Sequence, residues 1–232
     1  MFPPSRLKWR KSAMPRISHQ CLCDYNGESL DRFFRLQAKG GAVACALAYP
    51  TKESFGASGC EKAVTVATET FMRRPSMSDK APPAISGFIN DALYRIQDPH
   101  KLMFCSTAVL YIVNGQFRCI LSGAAKLLHF NGGELKNTFD GGDNPLFGKH
   151  LNADFTSSQV TELPHGTNTF LLHCGCEDAD ADSAALGQAM QSVEDAGQWL
   201  SNAPELKALP GAKLAVVIPE RKSLFKNLFG AK

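Results

Sequence analysis

The chain has 232 residues, 44% hydrophobic and 20% charged, with 19 Gly and 13 Pro; this is ordinary globular composition and excludes collagen-like, coiled-coil and wholly disordered chains. Lys and Arg number 25 against 22 Asp and Glu, a net charge of +3, too balanced to mark a nucleic-acid or membrane binder. Eight cysteines in a chain of this length with no secretory leader read as reduced thiols, which predicts a cytoplasmic location, and no apolar run is long enough to cross a bilayer.

Residues 1–16, rich in Pro, Arg and Lys, have little to bury and are expected to form a basic N-terminal extension. Residues 17–219 are expected to form one domain, followed by a basic tail at 220–232. Within the domain, residues 31–36 and 42–48 read as a hairpin turning through Gly40-Gly41. Cys60, Ala63, Val64, Ala67 and Phe71 recur at helical spacing, and Ile85, Phe88, Ile89, Ala92, Leu93 and Ile96 do so after Pro82-Pro83. Two amphipathic helices therefore follow the hairpin. Residues 107–113, 116–121 and 126–130 predict an antiparallel meander, its first turn being Asn114-Gly115, the strongest short hairpin signal. A long loop is expected over 137–159. A strand over 169–173, a helix carrying Leu186, Ala189, Met190, Val193, Ala196 and Leu200, and an interior strand over 214–218 complete the order.

This order is similar to the bacterial branch of the protein phosphatase 2C family of metal-dependent Ser/Thr phosphatases, and local residues carry the likeness. Cys105-Ser106-Thr107-Ala108-Val109 resembles the family's Gly-Ser/Thr-Thr-Ala strand, and Ser122-Gly123-Ala124-Ala125-Lys126 stands where the family writes Gly-Asp-Ser-Arg. Asn131-Gly132-Gly133 matches its next turn, Leu146-Phe147-Gly148 resembles the Ala-Leu-Gly of its flap, and the segment 163–176 resembles its Pro-Gly-Asp, apolar strand and Ser-Asp-Gly. The resemblance implies an α+β fold, a four-layer α-β-β-α sandwich in which two antiparallel sheets are flanked by helix pairs.

The resemblance also implies a centre of two Mn²⁺ or Mg²⁺ ions held by aspartates, since hard cations need oxygen ligands and supply the attacking water. Taken acid by acid, that centre has been emptied. The first-strand Glu-Asp falls on Leu30-Asp31, leaving Asp31 as a remnant; the Asp after the second strand falls at Tyr49, that of Ser-Asp-Gly at Gly175, and the last Asp at Gly211. The leading expectation is thus a catalytically inactive regulatory or binding module, a pseudophosphatase, that requires no cofactor and engages a protein partner such as a Ser/Thr kinase or phosphoprotein.

Two alternatives stand beside it. A divergent phosphatase would rebuild a Mn²⁺ or Mg²⁺ site from Asp31 with acids such as Glu53, Asp178 or Asp180. A zinc-structured or thiol-switching module would use the Cys-x-Cys pairs Cys21/Cys23 and Cys174/Cys176 as thiolate ligands. In the tail, Leu224, Phe225, Leu228 and Phe229 form an apolar stripe among lysines, suited to a partner groove.

Overall fold

The computed structural model describes residues 17–25, 27–54, 56–97, 100–175 and 210–220. The expected extension, the helix over 186–200, Cys176, Asp178, Asp180 and the tail stripe lie outside the described residues. Among the described residues, ten strands form two antiparallel sheets. One runs β1 (Ser18–Cys23), β10 (Ala212–Ile218), β9 (Asn168–Cys174), β6 (Ala125–Asn131), β7 (Glu134–Asp140). The other runs β2 (Phe34–Lys39), β3 (Ala42–Pro50), β4 (Cys105–Val113), β5 (Gln116–Ser122), β8 (Thr161–Glu162). Helices α1 (Ser58–Arg73) and α2 (Ala81–Tyr94) pack on each other, and α1 lies on β3.

The alternation along β3 explains the layering. Ala42, Ala44, Ala46 and Ala48 face α1, meeting Ala63, Val64, Ala67 and Phe71, and their small side chains let the helix approach closely. Val43, Cys45, Leu47 and Tyr49 point the other way, into the core between the sheets. β4 divides likewise, with Val109 and Tyr111 toward the helices and Ala108, Leu110 and Ile112 toward the second sheet. Tyr111 stacks on Phe71 with ring centroids 4.2 Å apart. The inter-sheet core adds Phe117, Leu127, Phe170, Leu172, Leu214 and Val216, each burial being worth about 1.5–3 kcal/mol.

Four local expectations change. Asp31 belongs to a short 3₁₀ turn, Leu30–Arg32, rather than to the strand, which begins at Phe34. The turn is tied to α1 by Arg32, which donates to Glu61 at 3.0 Å and Ser58 at 3.1 Å. The three-stranded meander is split: β4 and β5 pair, but at Ser122-Gly123-Ala124 the chain crosses to the other sheet, where β6 pairs with β7 and β9. β7 extends to Asp140, so the long loop starts later than expected. β1 joins the fold as the partner of β10. The strand over 214–218 is interior, as expected, lying between β1 and β9.

Candidate functional site

Three positions at which the family resemblance places acids converge at one end of the sandwich. β1, β9 and β10 are in register with Cys23 beside Ala212 and Ala212 beside Cys174, so the residues just beyond these strands, Asp24, Gly175 and Gly211, are gathered together. Tyr49, near the end of β3 in the opposite sheet, reaches across: its hydroxyl donates to Asp24 Oδ1 at 2.7 Å. The Gly211 N–H donates to Asp24 Oδ2 at 2.9 Å. Gly175 N–H donates to the carbonyl of Ala124, in the Ser122-Gly123-Ala124 crossover, at 3.1 Å. Asp24 thus links both sheets through Tyr49 and Gly211.

Gly211 is required by this geometry. Its φ is +97°, and a Cβ there would stand 2.3 Å from the Cys174 carbonyl oxygen and 2.9 Å from Gly175 Cα. Tyr49, 8% exposed, sits among aromatic rings, with Phe33 at 6.4 Å and Tyr25 at 6.1 Å between centroids. Leu30 and Asp31, where the resemblance places the first motif, are exposed on the 3₁₀ turn. Asp24 was not among the residues singled out from the sequence. Its role depends on the pairing of β1 with β10, strands from opposite ends of the described chain, and no local motif signals it.

Behind Asp24 lies a basic row on the outer side of the sheet, in which Lys213 is paired with His173 and His173 with Lys126. Burial lowers the Lys213 pKa, an effect opposed by nearby Asp24 and the Cys23 and Cys21 thiols. Burial also holds the His173 imidazole below its ordinary value, with Lys213 and Lys126 adding to the shift. His173 Nε2 lies 3.0 Å from the Pro210 carbonyl, to which it can only donate, so Nδ1 is unprotonated in the neutral ring.

These donors do not suit a pair of Mn²⁺ or Mg²⁺ ions. Such a pair needs several carboxylates, whereas the three converging positions hold a phenol and two glycines. The one carboxylate between them, Asp24, already accepts a hydrogen bond on each oxygen. Among the described residues no group of three His, Cys, Asp or Glu is placed to hold a metal.

Among the described residues, Cys21, Cys23 and Cys174 are not grouped as metal ligands. Cys21, Cys23 and Cys174 turn toward the inter-sheet core, and Cys174 donates to the Leu47 carbonyl at 3.4 Å. Burial pushes the Cys21 thiol up to about 12 and raises Cys23 and Cys174 as well. Ligation needs thiolates, and this environment disfavours them. All seven described cysteines are free thiols.

The flap-like segment is pinned. Ser122 Oγ donates to the Pro145 carbonyl at 2.6 Å and accepts from Phe147 N–H at 3.2 Å. Asn90 of α2 accepts from Gly148 N–H at 2.9 Å and donates to the His150 carbonyl at 2.8 Å. Phe147 is fully buried and stacks on Phe155 at 4.2 Å.

With helix pair, paired sheets and flap in place, the chain has the fold of the protein phosphatase 2C class. Solved structures of serine/threonine phosphatases share that fold. The catalytic domain of the serine/threonine phosphatase PstP, bound to two manganese ions, superposes with a TM-score of 0.67 over 90% of this chain and 99% of its own, at 12% identity. The serine/threonine phosphatase of S. agalactiae gives 0.66 over 88% and 99%, at 13% identity. RsbX in complex with magnesium gives 0.58 over 90% and 96%, at 12% identity. No protein-family model and no curated protein matches the sequence.

Proposed function

We propose that this chain is a pseudophosphatase, a phosphatase 2C-fold module that regulates or binds a protein partner in phospho-signalling without turning over phosphate esters. The observation that carries this reading is the hydrogen-bonded arrangement of Tyr49, Gly211 and Asp24, in which donors stand at the resemblance's metal positions and bind a single carboxylate between them. A phenol hydroxyl and a backbone N–H satisfy a carboxylate, but neither holds a hard cation as an anionic ligand does. The kind of partner, a kinase or phosphoprotein, follows from the fold's chemistry in its relatives and is part of the proposal. Free thiols throughout the described residues support work in a reducing, cytoplasmic setting, and no helix among them is long and apolar enough to cross a membrane.

The test is hydrolysis of a phosphothreonine peptide by the full chain with Mn²⁺ or Mg²⁺, beside a chelator control and the variants Asp31→Ala and Asp178→Ala. The expected result is no metal-dependent turnover. Turnover abolished by chelator and by both substitutions would replace this reading with that of a phosphatase that has rebuilt its metal site. Zinc measured in protein purified without chelators is expected to be substoichiometric; one zinc per chain would favour the Cys21/Cys23/Cys174/Cys176 site.

A further inference from the structure

We propose that the free edge of β2 takes an extended acidic peptide as an added strand, with the adjoining cleft at the end of α1 receiving one of its side chains. β2 is the edge of its sheet; among the described residues no strand lies beyond it. The ladder decides which backbone groups are open. The two-residue turn Gly40-Gly41, with φ of 62° and 90°, closes the Lys39–Ala42 pair, and at the other end Ala48 N–H donates to the Phe33 carbonyl at 2.8 Å. Hydrogen-bonded pairs alternate in an antiparallel ladder, so residues 33, 35, 37 and 39 bond inward to β3. The N–H and C=O groups of Phe34, Leu36 and Ala38 point outward along a continuous edge.

What flanks that edge selects the ligand. On the α1 side stand Arg35, Gln37 and Lys39, and next to them opens a cavity of about 720 Å³ lined by Gln37, Ala38, Lys39, Glu69, Met72 and Arg73. Its acid is already committed: Arg35 donates to Glu69 at 3.2 Å and to Thr65 at 3.1 Å. Lys39 and Arg73 are exposed cations at the cavity rim, with Arg74 next in sequence. An acidic strand would bond its main chain to positions 34, 36 and 38 and set alternate carboxylates toward Lys39 and Arg73, with Met72 lining the cleft. A second copy is the poorer occupant, because edge-to-edge pairing would bring the Arg35, Lys39 and Arg73 of two molecules together; edge cations commonly serve to prevent such pairing. This proposal concerns a surface remote in chemistry from the Asp24 end and holds whether or not that end is catalytic.

The test uses the full chain and a fluorescein-labelled hexapeptide of alternating Glu and Val, with alternating Lys and Val as control, read by fluorescence anisotropy. The acidic peptide is expected to bind saturably and the basic one not. Ala38→Pro removes one outward N–H while sparing the inward pairs, and is expected to weaken binding about tenfold, the equivalent of one lost hydrogen bond. Methylation of alternate peptide nitrogens should do the same against the unaltered protein, a check that needs no variant to fold. Lys39→Glu with Arg73→Glu should reverse the preference to the basic peptide. Absence of acidic-peptide binding, equal binding of both peptides, or affinity unchanged by both Ala38→Pro and methylation would overturn the proposal. Dimerisation of the free protein that Ala38→Pro abolishes would assign the edge to a second copy instead.

Discussion

The two ends of the β1-β10-β9-β6-β7 sheet are closed by different chemistry. At the Cys23–Ala212–Cys174 end a charged group, Asp24, accepts from a phenol and a backbone amide while remaining exposed itself. At the opposite end the polar groups are neutral and enclosed. Asn168, 4% exposed, donates to the carbonyls of Pro164 and Gly166 at 3.0 and 3.1 Å, which leaves its Oδ1 to accept from Asn131 and from His129 Nε2 at 2.9 Å. His129 Nδ1 then accepts from Asn137 at 3.0 Å, and the ring stacks on Phe170 at 4.6 Å. The amide end is a buried network in which each member fixes the next, whereas the Asp24 end is a solvent-facing junction of few bonds. Stability should therefore reside at the amide end, leaving the Asp24 end tolerant of change.

Three measurements bear on this contrast. The largest effect is expected from Asn168→Ala, which strands His129 and two carbonyls in the interior and should cost about 3 kcal/mol in urea unfolding. At the other end, Asp24→Ala should cost about 1–2 kcal/mol, because the carboxylate is exposed and water can replace it. Tyr49→Phe should cost about 1 kcal/mol and add less than its full value to Asp24→Ala, since the two share one hydrogen bond. A larger loss at Asp24 than at Asn168 would reverse the comparison.

The smallest effect is on pH dependence. Burial lowers the His129 and His173 pKa values from the ordinary 6.5. The unfolded chain then binds protons before the folded one, so the contribution is fully present above about pH 6.5 and is lost as pH falls toward the depressed folded values. Between pH 7.5 and 5.5 each histidine should remove up to about 1 kcal/mol, and His129→Gln should flatten part of that slope in urea titrations. An unchanged slope would mean that burial does not hold His129 neutral.

Much of this architecture was legible because its signals are local. The helical spacing of Cys60, Ala63, Val64, Ala67 and Phe71 became the buried face of α1, and Asn114-Gly115 became the turn between β4 and β5, with both residues at positive φ. Tyr49, Gly175 and Gly211 are pointed to by the family resemblance, and each lies in or next to an apolar strand. What escaped was non-local. Residues 18–23 carry a mixed polar sequence that becomes a strand only through β10, and Asp24 acquires its partners only from that pairing. The split of the meander also leaves no mark in hydrophobic alternation, which is the same whether the next strand stays in the sheet or crosses to the other.

The pairing of β1 with β10 also bears on the order of synthesis. Strands β2 to β5 are neighbours in both sequence and space, so their ladder can close while the chain is still emerging. The other sheet has β10 as an interior strand and cannot be completed until residue 218 has been made, so β1 must wait unpaired while the roughly two hundred residues between them are synthesised. Such long-range closure is slow. The nascent protein thus passes through a stage in which one sheet has formed and the apolar inner side of the other, including Cys21, is still open to chaperones and oxidants.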